Sequence, residues 1–162
     1  MDYSVLIDTC FMVGLLDANS IHHKNAKDYF RYFLDNDIPI YFSTISVAEY
    51  CIRGEYDTIP FEDVRILPFT LFDGKEIGRF GQVLYKARLE GILDKEERIA
   101  IPNDAKLFAQ ASIRPDIRYF VTSDVKAKKK IDIIRRDCGA QVAHLDISTP
   151  INVFSGQLDL DD

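Results

Sequence analysis

Four acids stand where a lone carboxylate is out of place. Asp8 directly follows the apolar run SVLI, and Asp124 closes the segment YFVTSD; both runs read as β-strands. Glu49 has Ile45 four residues before it and Ile52 three after, so on a helix it shares an apolar stripe. Asp104 is followed at i+3, i+4 and i+7 by Leu107, Phe108 and Ala111 and points along the same kind of face. A carboxylate turned toward a core needs a partner. No basic residue is obviously placed to serve both Glu49 and Asp104. If the two strands are parallel, Asp8 and Asp124 share one sheet edge. They then repel unless one is protonated or a cation lies between them. A divalent cation is the simple solution, since Mg²⁺ prefers oxygen ligands, binds through a few carboxylates and keeps several waters. Such an ion lowers the pKa of a bound water and stabilises the attacking and leaving oxygens of an in-line phosphodiester displacement. It also inverts the field of an acidic pocket that would otherwise repel an anionic substrate.

Each acid has a plainer reading. Asp8 and Asp124 could cap the helices that follow them. Glu49 could pair with Arg53 at i+4, and Asp104 could gain from a helix dipole. The conjunction of all four favours the metal site. The lysines at 126 and 128–130, with Arg135 and Arg136, read mostly as a solvated helix face, one or two of them near enough to Asp124 to hold phosphate. Arg79, Arg88 and Arg98 are further candidates for that role. Tyr41, Phe42, Tyr50 and Tyr119 are better explained by packing than by base stacking, and Cys10, Cys51 and Cys138 read as small core hydrophobes. His22 and His23 are adjacent, and His144 lies in a strand, so histidine-based metal or acid–base chemistry is disfavoured. The absence of GxxxxGK[ST] and GxGxxG disfavours a P-loop or dinucleotide enzyme.

The elements that would position the acids alternate. Five β-rich runs, at 3–7, 38–42, 64–69, 118–122 and 141–145, are separated by helical patterns. This is the signature of βαβ units and a parallel sheet. The helical stripes are Ala26, Phe30, Phe33 and Leu34; Ile77, Phe80, Leu84 and Ala87; and Ala127, Ile131, Ile134 and Cys138, the last ended by Gly139. The stretch 71–114 is too long for one crossover and predicts at least two helices parted near Gly91–Ile101. Thr149 and Pro150 predict the start of a short final helix. The fold class is α/β, a three-layer α/β/α sandwich on a five-stranded parallel sheet. Residues 1–155 form one domain and 156–162 an acidic tail. On such sheets ligands bind beyond the carboxyl ends of the strands, near the switch in strand order.

Composition agrees. The chain has 162 residues, enough for one domain, and 47% hydrophobic content for a core. Three scattered cysteines form no CxxC pair and suit a reducing compartment. The N-terminal segment lacks the basic region of a signal peptide, and the apolar stretch 5–16 is broken by Asp8 and too short to span a bilayer. The expectation is a cytoplasmic protein with no membrane association. A formal charge of −6 argues against a non-specific nucleic-acid coat but not against an enzyme with a local basic rim.

DTC at 8–10, AEY at 48–50, NDA at 103–105 and TSD at 122–124, in this order and spacing, resemble the acidic signature of PIN domains, including VapC-type toxins of toxin–antitoxin pairs. The resemblance spans nearly the whole chain. It implies strand order 3-2-1-4-5, Mg²⁺- or Mn²⁺-dependent endoribonuclease activity on RNA, frequent homodimers and, for the toxins, a cognate antitoxin. By it, Asp8, Glu49, Asp104 and Asp124 hold the metal or activate its water, and Thr122 or Ser123, with Lys126 beside them, orients ligands or substrate. A water nucleophile leaves 5′-phosphate and 3′-hydroxyl ends. Three features depart from the pattern: Cys10 stands where a small polar residue is usual, the chain is somewhat longer than many small toxins, and VKAKKK stands where many members carry a further acid. The departure motivates a rival expectation, a PIN-like module that binds RNA or a partner protein with little or no nuclease activity. A phosphatase of the haloacid-dehalogenase type would need DxD after the first strand, and position 10 is Cys.

Overall fold

The computed structural model describes residues 3–95 and 101–158; Arg98 and positions 159–162 of the acidic tail lie outside the described residues. Five parallel strands form one sheet: β1 (Ser4–Ile7), β2 (Ile40–Ser43), β3 (Arg65–Leu67), β4 (Ile117–Thr122) and β5 (Ala143–Asp146). Their order is β3-β2-β1-β4-β5, as the family resemblance implied. The chain winds outward from β1 to β3, then returns to lay β4 on the other side of β1. The strand order therefore reverses between β1 and β4, where a crevice opens at the carboxyl ends.

Strand periodicity divides the core in two. Val5 and Ile7 of β1, with Ile40, Phe42 and Val121, meet helices α1 (Thr9–Leu16), α2 (His23–Asp35), α3 (Thr44–Tyr50) and the final helix α7 (Ile151–Leu158). Leu6, Tyr41 and Phe120 point the other way, against α4 (Leu71–Leu89), α5 (Ile101–Ile113) and α6 (Val125–Cys138). There Phe108 and Phe120 pack edge to face at 5.0 Å between ring centroids. β1 is buried along its whole length, as expected for the middle of a covered parallel sheet. β3 is an edge strand three residues long, shorter than the run 64–69 predicted, because Pro68 cannot donate to a ladder. None of the described helices is long and apolar enough to cross a membrane.

Helix ends follow local chemistry. Gly139 ends α6 at φ 69°, and α4 stops at Leu89 just before Gly91 at φ 75°. α4 and α5 are the two helices expected in 71–114. The buried face of α2 is Ala26, Tyr29 and Phe33, whereas Leu34 is exposed and Phe30 only partly covered. The stripe is turned toward Tyr29 because its hydroxyl donates to the Thr149 carbonyl at 2.9 Å, tying α2 to the segment before α7. The last helix begins at Ile151 and runs to Leu158, into the stretch expected to be tail.

Cys10 and Cys51 are exposed and not core residues, whereas Cys138 is half-buried and packs against the core from the end of α6. Cys51 and Ile52 follow the end of α3, so the helical stripe that placed Ile52 inward does not extend to it; Ile52 is 78% exposed.

Candidate active site

The site starts at the end of β1. The Asp8 backbone N–H still donates to the Val121 carbonyl of β4 at 3.2 Å, so the acid leaves the sheet beside that strand. Its side chain caps α1: Oδ1 accepts from the Phe11 N–H at 2.8 Å. The second oxygen accepts from Thr122 Oγ1 at 2.6 Å. Asp8 is buried, and its pKa is raised to about 7. Burial is the main cause; the bonds from Thr122 and Phe11 oppose it, while the charges of Asp124 and Asp104 push it further up. The charges acting most strongly on this carboxylate are thus both negative.

Thr122 is the fully buried last residue of β4, and its hydroxyl works in both directions. It donates to Asp8 and accepts from the Asp124 N–H at 2.9 Å, linking the ends of two strands through one atom. Asp124 then caps α6, its Oδ1 accepting from the Lys126 N–H at 2.9 Å. Both aspartates are therefore N-caps as well as pocket acids; the two readings coexist. Ser123 is half-buried between them, and Lys126 is exposed at the first turn of α6.

Glu49 enters from α3, which Ser43 caps by accepting from the Ile45 N–H at 3.1 Å. Ser43 in turn donates to the buried Gln110 of α5 at 2.6 Å, which ties the start of α3 to α5. Glu49 is half-buried and held by neutral donors. Thr9 Oγ1 donates to one oxygen at 2.6 Å, and Asn103 Nδ2 to the other at 2.8 Å. Arg53 lies past the end of α3 and is not the partner the i+4 spacing offered.

Asp104 sits in the first turn of α5. Here the structure corrects the sequence reading. Its Oδ2 accepts from Lys130 Nζ at 2.5 Å, and that lysine is 1% exposed rather than part of a solvated face. The signal was present: Lys130 is three residues after Ala127 and four before Ile134, on the stripe that packs α6 inward. Lys128 does lie on the solvated face, paired with Asp132 at 2.6 Å. Thr9 and Asn103 are the pocket residues that sequence reasoning assigned no role, and Lys130 is the one it counted with the lysines of the solvated face.

Cys10 reports on the same pocket. Though the residue is exposed, its thiol is pushed up to about 12, first by desolvation and then by the charges of Asp8, Asp124 and, more weakly, Glu49. The thiol stays protonated at neutral pH and is no nucleophile. Arg79 and Arg88 lie elsewhere: Arg79 pairs with Glu76 and donates to the Cys138 carbonyl, and Arg88 lies over Tyr85. Cys138 ends α6, about 20 Å along the helix from Asp124.

Among the described residues, no three Asp, Glu, His or Cys side chains converge closely enough to enclose an ion. The donor set nevertheless fits Mg²⁺ or Mn²⁺. A hard cation that keeps most of its waters needs only one or two direct carboxylates. Asp8 supplies a buried oxygen-only ligand whose negative surroundings a cation would relieve.

No family model matches the sequence, and comparison with curated proteins returned no match. Fourteen chains of known structure match the fold. The structure of VapBC2 from Rickettsia felis, bound to a DNA fragment from their promoter, aligns with a TM-score of 0.56 at 14% identity, covering 88% of this chain and 98% of that one. VapC20 of Mycobacterium tuberculosis, a toxin that cleaves the sarcin–ricin loop, aligns with a TM-score of 0.49 at 18% identity over 76% of this chain and 92% of its own. The strand order and the VapBC2 likeness together give this chain the PIN-type, VapC-like fold.

Proposed function

We propose that this chain is an endoribonuclease dependent on Mg²⁺ or Mn²⁺, built on the PIN-type fold. The observation that carries the reading is Asp8: a buried carboxylate at the strand-order switch, held by two hydrogen bonds and surrounded by further negative charge. A cation there would be held by Asp8 and Asp124, with Asp104 and Glu49 reaching it directly or through water. When bound, it supplies a water acidified enough to attack phosphorus and charge to offset that of the phosphate. The chain's own residues supply orientation. Thr122 fixes the Asp8 carboxylate and the Asp124 backbone together. Glu49, fixed by Thr9 and Asn103, stands to accept a proton or a water hydrogen at its half-buried carboxylate. Lys126, exposed beside Asp124, and Ser123 are the groups at hand for a substrate phosphate.

The test is a Mn²⁺ titration of cleavage on mixed RNAs, comparing the wild type with Asp8→Asn. The wild type should yield 5′-phosphate and 3′-hydroxyl ends, and the variant should be inert. A 2′,3′-cyclic phosphate product, or unchanged cleavage by the variant, would exclude the assignment.

The rival binding-module reading draws support from one observation: each of the four acids already makes a hydrogen bond within the fold, and no three converge. It predicts RNA retention without cleavage in any divalent ion.

The VapBC2 likeness supports carrying the toxin reading to this chain, with an antitoxin as partner; a homodimer as the working unit and the cytoplasm as its place rest on the sequence alone. Growth arrest on expression, relieved by co-expressing a small adjacent gene product that co-purifies with the chain, is the expected result.

A further inference from the structure

Lys130 is a buried ammonium that the proposed reaction does not use. It projects from the second turn of α6, is 1% exposed, and its Nζ lies 2.5 Å from Asp104 Oδ2. Burying a lysine is costly, and this one lies on a face otherwise lined by Ala127, Ile131 and Ile134. A leucine or methionine would fill that face with no charge to compensate. Asp8 and Asp124 stand at the ends of β1 and β4, and Asp104 in the first turn of α5, close enough for its charge to act on Asp8. The ammonium is delivered to Asp104.

From this geometry we infer that Lys130 is a fixed cation standing in for a second metal ion, so that the site takes one divalent cation, on the Asp8–Asp124 side, and not two. The argument is steric and electrostatic. A divalent ion bound to Asp104 Oδ2 at the usual distance of about 2.1 Å would sit within roughly 5 Å of Nζ. Two like charges that close, with little water between them, repel strongly. The ammonium cannot withdraw to solvent, because α6 holds it inside. Lys130 also reduces the negative charge of the pocket, so a single divalent ion leaves it close to neutral and open to an anionic substrate. Lys130 is therefore a positioning residue: it holds Asp104 and sets the number of ions without touching substrate.

The inference rests on the cation-dependent reading above, and the test separates the two. Mn²⁺ bound per full-length chain is counted by electron paramagnetic resonance of the free ion, in the absence of RNA. The wild type should bind one equivalent. Lys130→Met, which keeps the buried length and removes the charge, should bind a second equivalent, or gain at least tenfold in its weaker affinity. Lys130→Gln carries the same expectation where the Met variant does not fold, as judged by circular dichroism. Lys130→Arg, which keeps the charge, should stay at one. Two equivalents in the wild type, or one unaltered equivalent in both neutral variants, overturn the inference and leave the nuclease reading standing. No bound Mn²⁺ in the wild type overturns both.

Discussion

Asp8 and Asp104 face one pocket with opposite provision for their charge. Asp8 is the more deeply buried, yet its strongest electrostatic neighbours are the two acids Asp124 and Asp104, and its partners Thr122 and Phe11 are neutral donors. Asp104 is 21% exposed and has a buried lysine at 2.5 Å. An acid with its own ammonium is at rest in the folded protein. An acid that is buried among like charges is stable only if something positive arrives or a proton binds. On the proposed reading, the difference separates an acid already compensated within the fold from one whose charge a bound cation would relieve, even though both belong to the same sequence signature.

The comparison breaks most readily at Asp8. Asp8→Asn should reduce RNA cleavage by roughly a thousandfold or more, since it removes the buried ligand charge while keeping the cap. The same variant should be more stable than the wild type in EDTA above pH 7. The folded-state pKa of Asp8, about 7, lies above its ordinary value of 3.8. The cost of ionising it is thus absent below about pH 4, grows between pH 4 and 7, and is complete above, with a ceiling of about 4 kcal/mol. Urea midpoints at pH 5 and pH 8 should converge for the variant and fall for the wild type at the higher pH. A variant less stable than the wild type at pH 8 would contradict the account.

Lys130→Met should act in the opposite sense. Leaving Asp104 without its ammonium should cost about 2–3 kcal/mol in metal-free protein, less than for a fully buried pair because the acid reaches solvent. Adding Asp104→Asn should recover most of that loss. A double variant no better than the single would mean that the lysine's own packing is what matters.

Thr122→Val keeps the shape of the buried β4 terminus but removes the hydroxyl shared by Asp8 and Asp124. Unfolding free energy should fall by about 1–2 kcal/mol, and cleavage by tens of fold through kcat, with KM for RNA little changed. A loss confined to KM would place Thr122 against substrate instead. The smallest effect is expected at Thr9→Val, which frees one Glu49 oxygen. Cleavage should drop several-fold, with stability within about 1 kcal/mol of the wild type. An effect equal to that of Glu49→Gln would show that Thr9 has a role beyond holding the glutamate.

Much of this was legible from residue order. Short β-rich runs located the strands, and Gly139 ended α6 where the helical pattern stopped. Asp8 and Asp124 followed their strands directly, so a parallel sheet was enough to bring them together. Lys130 and the inward turn of Tyr29 were harder, for a shared reason. A helical stripe specifies a face to within about one residue, and which neighbour is buried depends on what the opposite element offers. Asp104 draws Lys130 inward, and the Thr149 carbonyl draws Tyr29. Cys10 and Cys51 misled because small apolar character fits a core and also fits an exposed surface.

By itself, the sequence determined the alternation of strands and helices, the caps at Asp8 and Asp124, and the presence of four acids on or beside apolar surfaces. Those properties depend on neighbours within a few positions, where backbone geometry is periodic. Only the tertiary structure decided how the four acids differ. Thr122 joins Asp8 to Asp124, Thr9 and Asn103 share Glu49, and Lys130 claims Asp104 across 26 residues of chain. The state of a carboxylate is set by the charges and dipoles within a few ångströms of it, and here the packing of α3, α5 and α6 against the sheet supplies them.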